Sequence, residues 1–326
     1  MGDLLEVRGL TKVFSLSKHE DLVAVNNVSF ALGRGETLGL VGESGSGKTT
    51  VGRCVLRLIE PTSGEVLLDG TDIRKLETDD LRRMRSRMQL VFQDPLASLN
   101  PTYTVRQTVS EPLALHGVKR AERHERVADM LRHVGIGEHL FNYYPADLTA
   151  GEQQRIGIAR ALITRPEIVV LDEPTSTLDA SARAEILALL ERIQKETGTS
   201  FIFISHDMTS IARICHRIAV MYLGRIVEEA PTDELLAKQY HPYSKALMSA
   251  VLFADPRRVP SPYVIKGEIP TAINPKPECG LYSRCPMRQD RCREGVPPLM
   301  EVAPARTSAC LRWQELEQTE LAAVDA

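Results

Sequence analysis

GESGSGKTT, residues 42–50, decides how the rest of the chain is read. It fits the pattern G-x-x-x-x-G-K-[ST], follows the apolar run ETLGLVG, and opens the helix-like stretch KTTVGRCVLRLIE. That is the strand, loop and helix context a phosphate-binding loop requires. Gly42, Gly45 and Gly47 permit turns that aim backbone N–H groups at phosphate oxygens. Glu43, Ser44 and Ser46 supply the rest of the cradle, and Thr50 continues the helix start. The positive end of a helix beginning near Lys48 adds to the field. Lys48 reaches the outer phosphates, and the Thr49 hydroxyl is a ligand for Mg²⁺. ATP with Mg²⁺ is the expected ligand.

Working outward, EIVVLDEP (167–174) is a continuous apolar run that ends in acids, as a buried parallel strand does. It places Asp172 toward the metal and leaves Glu173 to orient or deprotonate a water. SFIFISHD (200–207) reads as another buried strand, with His206 at its end, and MQLVFQD (88–94) carries Gln93 in the same way. A lone histidine or glutamine at a strand end is more often structural. LLEVRGLTKVF, VAVNNVSFAL and GEVLLDG add strands near the start, residues 95–163 turn helical, and RIAVMYL and RIVEEA flank a turn at Gly224. Strands alternating with helices predict an α/β fold around a parallel sheet. After residue 236 proline becomes dense, as in ADPRRVPSPY (254–263), and periodicity fades, so a separate irregular C-terminal module is expected.

Composition narrows the function. The chain has 326 residues, 43% apolar and 25% charged, with a net charge of −3. No basic block interleaves with aromatics, which argues against nucleic acid. The start, MGDLLEVRGL, is expected to hold neither a signal peptide nor a myristoylation site. No apolar run reaches the ~20 residues that cross a bilayer. If the protein serves a membrane, other chains must span it.

Taken in order, these motifs resemble the ATP-binding subunits of ABC transporters over roughly residues 4–312. The resemblance implies a P-loop NTPase core with an antiparallel β subdomain (1–94 and 164–235), a helical subdomain (95–163) and a C-terminal extension (236–326). It implies that Phe14 stacks on adenine and that Gln93 senses Mg²⁺ and the attacking water. It further implies that Asp172 holds the metal, Glu173 is the catalytic carboxylate and His206 contacts the γ-phosphate. The STLD stretch, Ser176 to Asp179, becomes the loop that crosses between two ATPase subunits. The family's signature, typically Leu-Ser-Gly-Gly-Gln, closes over a partner's ATP. Here it reads with Thr149, Ala150, Gly151 and Glu152. A carboxylate at 152 opposes a γ-phosphate unless it turns to solvent. The site this stretch closes is therefore either slow or unaffected, and the departure favours a heterodimer.

HPYSKALMSAV (241–251) and GEIPTAINPKPECGLYSRCPMRQDRCREGVPPL (267–299) resemble the extension of oligopeptide and dipeptide importer ATPases. That extension is shared with importers of nickel or metallophores, glutathione and some oligosaccharides. The implied partners are a second ATPase, two membrane-spanning subunits and an extracytoplasmic binding protein. The implied place is the cytoplasmic face of the membrane. In such a reducing compartment, structural disulfides are not expected. Cys279, Cys285, Cys292 and Cys310, spaced C-x5-C-x6-C-x17-C, are instead candidate metal ligands. Zinc usually takes C-x2-4-C pairs, and a [4Fe–4S] cluster also takes four thiolates. Spacing alone does not choose between them; the resemblance tilts toward the cluster, with zinc as the alternative. Cys54 and Cys215 read as buried core thiols. Two rivals are an ABC ATPase acting on DNA or ribosomes and a small-molecule kinase. The first usually shows a coiled-coil insertion or tandem cores, which are missing here, and the second fits the 147–155 stretch less well.

Overall fold

A computed structural model describes residues 2–249, 263 and 265–316. Most of the proline-rich stretch at 254–263 and the chain beyond residue 316 lie outside the described residues. The strands are β1 (Leu5–Ser17), β2 (Glu20–Leu32), β3 (Thr37–Val41), β4 (Ser63–Leu68), β5 (Thr71–Asp72), β6 (Met88–Val91), β7 (Ile168–Asp172), β8 (Ser200–Ile204), β9 (Arg217–Tyr222), β10 (Arg225–Pro231), β11 (Met300–Ala303) and β12 (Arg306–Ser308). The helices are α1 (Lys48–Val55), α2 (Thr78–Met84), α3 (Pro95–Ser98), α4 (Val105–Leu115), α5 (Arg120–His133), α6 (Ala150–Leu162), α7 (Ala180–Thr197), α8 (Met208–Ile214), α9 (Thr232–Ala237) and α10 (Pro242–Ser249).

Two sheets form. One is antiparallel, in the order β2-β1-β4-β5, and the other runs β11-β12-β10-β9-β3-β8-β7-β6. In the second sheet β9, β3, β8, β7 and β6 are mutually parallel. Successive side chains of a strand face opposite sides, so each central strand feeds two cores. Val169, Leu171, Phe201 and Phe203 pack on the side of α6 to α8. Ile168, Val170, Ile202 and Ile204 pack on the side of α1 and the antiparallel sheet. This double burial explains why β7 and β8 read as unbroken apolar runs. All five residues of each are buried. Cys54 and Cys215 are buried thiols within these cores.

β9 and β10 form a hairpin in which Tyr222 faces Arg225 across a two-residue turn. Leu223 and Gly224 both have positive φ, 46° and 76°. That is the backbone a tight, right-twisting hairpin needs. Between residues 95 and 163 the chain is helical, with α4 capped by a reciprocal Thr104–Gln107 box.

The C-terminal segment differs from its sequence reading. β12 pairs with β10, Glu228 opposite Ser308, and β11 pairs with β12, so the segment extends the central sheet. Farther up the chain, the Val23 N–H donates to the Ala272 carbonyl at 2.9 Å and the Asn274 N–H to Asp21 at 2.9 Å. Strands of three and four residues are too short to show a period, and the RTS of β12 is polar. Pairing with an existing sheet edge makes them strands.

Glu228 anchors this junction. It is 1% exposed. Its oxygens accept from the Tyr240 N–H at 2.7 Å and the His241 N–H at 2.9 Å, and Arg306 lies 3.7 Å away. Burial pushes its carboxyl from 4.5 up to about 7. The folded state therefore holds this proton more tightly than the unfolded chain does. The stability it contributes is full below about pH 4.5 and is lost as pH rises through about 7. Thermal midpoints of wild type and Glu228→Gln, followed across that window, are expected to diverge, with the wild type falling relative to the variant. Parallel curves would remove Glu228 as the source.

Candidate functional site

The 42–50 stretch forms a loop that wraps the start of α1. Its outer glycines are required by packing. Gly42 has φ 151°, and a Cβ there would lie 2.2 Å from the Met221 carbonyl oxygen. Gly47 has φ 100°, and a Cβ would lie 2.3 Å from the Ala24 carbonyl oxygen. At these two positions the loop is wedged against β9 and β2 with no room for a side chain. Lys48 is buried, and its ammonium donates to the Gly42 carbonyl at 2.8 Å, the Glu43 carbonyl at 2.9 Å and the Ser46 hydroxyl at 3.2 Å. Burial pushes the Lys48 amine down, while Glu173, Asp172 and Glu43 pull it up.

Asp172 ends β7 and is 3% exposed. Its carboxylate accepts from the Thr49 hydroxyl at 2.8 Å. Burial raises the Asp172 carboxyl, and the Thr49 hydrogen bond opposes that rise. Two hard oxygen donors thus sit together at the helix start, the chemistry that suits Mg²⁺.

Glu173 follows with φ 48°, a left-handed backbone that few residues other than glycine adopt. Its N–H donates to the Ile204 carbonyl at 2.9 Å, which holds the turn against β8. Strain of this kind persists only where surroundings impose it, and it clusters at functional sites. The turn brings the Glu173 carboxylate to Gln93 Nε2, which donates at 3.1 Å, and to His206 Nδ1 at 3.3 Å. Three residues from the ends of three strands thus meet at one carboxylate.

Other singled-out residues lie elsewhere. Ser176 donates to the Glu173 carbonyl at 3.1 Å, and Asp179 caps α7 through the Ala182 N–H at 2.9 Å. Phe14 sits on β1 opposite Leu22, with the Lys12 ammonium 4.8 Å from its ring centre, on the antiparallel sheet rather than in the loop cluster. Thr149, Ala150, Gly151 and Glu152 begin α6, and their carboxylate turns back on its own helix. Glu152 accepts from both the Thr149 N–H and the Thr149 hydroxyl at 2.8 Å, and its own N–H donates to that hydroxyl at 3.3 Å.

Cys279, Cys285, Cys292 and Cys310 are free thiols that line one small cavity with His241, Arg288 and Arg312. The Cys279 N–H donates to the Cys292 carbonyl at 3.0 Å. Burial pushes the Cys279 thiol up to about 11 and that of Cys310 up to about 12. Among the described residues, no group of three or more His, Cys, Asp or Glu has the geometry to hold a metal ion. The arrangement expected for a single bound ion is therefore not present among the described residues, although all four cysteines border one cavity.

Two contacts escaped the sequence reading. The Glu43 N–H donates to the Tyr243 hydroxyl at 2.8 Å, and Arg284 approaches the Glu43 carboxylate at 3.4 Å. Partners 200 and 241 residues away leave no local signal.

Residues 25–176 match the ABC transporter family. A protein of Sinorhizobium fredii named "Probable peptide ABC transporter ATP-binding protein" is 46% identical over 314 residues, covering 92% of this chain and 89% of that one. The chain belongs to the ATP-binding subunits of ABC transporters. Such a subunit binds and hydrolyses ATP. The "Oligopeptide transport ATP-binding protein AppF" of Bacillus subtilis is 42% identical to it over 321 residues, covering 94% of this ATP-binding subunit and 96% of the relative. Residues 227–292 match the C-terminal region of oligopeptide/dipeptide transporters, which stops short of Cys310. A solved ATP-binding cassette dimer bound to ADP and Pi matches 70% of the subunit at 30% identity, with 98% of its own chain covered and a TM-score of 0.64. A Clostridium perfringens cassette, part of the cbiONQ ABC transporter complex, matches 73% of the subunit at 30% identity, with 92% of its own chain covered and a TM-score of 0.66. Among the described residues of this ATP-binding subunit, no helix is long and apolar enough to cross a membrane.

Proposed function

We propose that this ATP-binding subunit energises the import of oligopeptides or dipeptides. The observation that carries the reading is the match of residues 227–292 to the oligopeptide/dipeptide transporter C-terminal region, joined to an ATPase core. The partners proposed are a second, different ATPase subunit, two membrane-spanning subunits and an extracytoplasmic binding protein. The subunit lies at the cytoplasmic face of the membrane. Residues 1–94 and 164–235 form the ATP-binding core, 95–163 the helical part that meets the membrane subunits, and 236–326 the extension. Affinity purification from detergent-solubilised membranes, followed by uptake of labelled di- and oligopeptides into vesicles holding the purified complex, tests this. ATP-dependent peptide uptake is expected; a complex that imports only metallophores, glutathione or oligosaccharides would overturn the substrate.

In the site, residues 42–50 cradle the triphosphate with N–H groups, the helix end and the Lys48 ammonium. Phe14 offers its ring to adenine. Thr49, Asp172 and Gln93 would hold Mg²⁺, which neutralises phosphate charge when bound. Glu173 orients the attacking water in line with the γ-phosphate, and His206 steadies both the carboxylate and the phosphate. The Gln93–Glu173–His206 cluster supports this reading, since it fixes the carboxylate from two sides. Ser176 and Asp179 face the partner ATPase. Thr149, Ala150, Gly151 and Glu152 close over the partner's nucleotide.

The four cysteines are read as ligands of a [4Fe–4S] cluster, which takes four thiolates. All four border one cavity, and the likeness of residues 227–292 to the oligopeptide/dipeptide transporter C-terminal region tilts the reading toward the cluster, with zinc as the alternative. Arg288 and Arg312 on the cavity wall would offset the negative charge of either centre. Its role is to tie together a segment with little apolar core. Anaerobically purified protein is expected to contain iron and acid-labile sulfide in equal amounts. Stoichiometric zinc without iron would refute the cluster.

A further inference from the structure

We propose that Tyr243 and Arg284 of the C-terminal segment are positioning residues for the phosphate loop, acting through Glu43. Glu43 is the second residue of that loop. Its carbonyl accepts from the Lys48 ammonium at 2.9 Å, its N–H donates to the Tyr243 hydroxyl at 2.8 Å, and its carboxylate meets Arg284 at 3.4 Å. One residue thus joins the loop's cation to two side chains from outside the core. The peptide group that Lys48 grips is oriented from behind by Tyr243.

These side chains are themselves fixed. Tyr243 is 2% exposed, and its ring packs against Tyr222 with centroids 4.6 Å apart. Arg284 also donates to the Tyr222 hydroxyl at 3.3 Å, and its guanidinium carbon lies 6.0 Å from that ring's centre. Tyr222 ends β9, beside Met221, whose carbonyl presses on Gly42. Tyr243 is the second residue of α10, just after Tyr240 and His241, whose N–H groups Glu228 holds. Burial pushes the Tyr243 phenol up, so it stays neutral and free to accept from the Glu43 N–H. An N–H that loses its acceptor in a buried site must reorient or stay unpaired, and either outcome disturbs the neighbouring peptides. Arg284 sits between Cys279 and Cys285, so the turn that carries the thiols also carries the loop's ion pair.

The proposal rests on residues 42–50 being the ATP site, which the wild-type titration checks by itself. MgATP is titrated into the full-length chain by calorimetry, well below the unfolding midpoint. There, a variant that is merely less stable still binds as the wild type does. Tyr243→Phe keeps the ring and removes the acceptor. It is expected to raise the Kd about fivefold, as the loss of one buried hydrogen bond does. Arg284→Ala should weaken binding by a similar factor, and Arg284→Lys, which keeps the charge, should restore part of it. Glu43→Ala combined with Arg284→Ala should cost no more than either alone, because both remove the same pair. Wild-type affinity in both Tyr243→Phe and Arg284→Ala, or a strictly additive cycle between Glu43→Ala and Arg284→Ala, would overturn it.

Discussion

Glu173→Gln is expected to bind MgATP within about threefold of wild type and to lose turnover by at least ~100-fold, the range a positioned general base contributes. The geometry gives the reason. The Glu173 backbone is held at φ 48° by a hydrogen bond to β8, so the side chain leaves the strand end at a fixed angle. Gln93 and His206 then hold its two oxygens, at 3.1 and 3.3 Å. A glutamine fits this space and keeps a similar shape. It replaces one acceptor oxygen with a donor amide, so it cannot take a proton from water. The change leaves the loop, Lys48 and Thr49 in place and removes only one of the charges that favour the Lys48 ammonium, so the effect expected on binding is small. Phosphate release by the complex purified from membranes, set beside the Kd from calorimetry, separates the two quantities. Turnover near the wild-type rate would remove Glu173 from the role proposed for it and shift attention to His206.

The second large effect concerns Lys48. Lys48→Ala is expected to weaken MgATP roughly 100-fold, since two charge-assisted contacts at about 1.5 kcal/mol each are lost. The loop suffers as well. The ammonium joins the Gly42 and Glu43 carbonyls and the Ser46 hydroxyl, so its removal leaves three acceptors without their donor. Burial already pushes this amine down, and the carboxylates of Glu173, Asp172 and Glu43 oppose that push. A phosphate tail would add negative charge and favour the ammonium further. The check is calorimetric titration of the full chain. An affinity within a few fold of wild type would mean that the triphosphate does not lie along this loop.

Much of the site was legible because its signals are local. Motif glycines, the Lys48–Thr49 pair and two acids after a buried strand need only a few consecutive residues to be recognised. Double burial made β7 and β8 visible as apolar runs. The departure at Glu152 was also visible, but not its outcome. A carboxylate at 152 can face a phosphate or turn to solvent. The structure shows a third, a capping box in which Glu152 takes the Thr149 hydroxyl for itself. The strained backbone at Glu173 could not be read at all, since nothing in the sequence DEP announces a left-handed φ.

The sequence by itself determined the nucleotide chemistry, the order of strands and helices through the core, and the presence of four clustered cysteines. Each depends on residue type and short spacing, which the chain carries whatever its shape. Only the tertiary structure decided that a three-residue polar strand joins the central sheet, and that Tyr243 and Arg284 stand behind Glu43. These are pairings of single groups across 78 (Glu229 to Thr307) to 241 (Glu43 to Arg284) residues. Their energy comes from satisfying buried donors and acceptors once the core has brought them together, so no local pattern had to evolve to encode them.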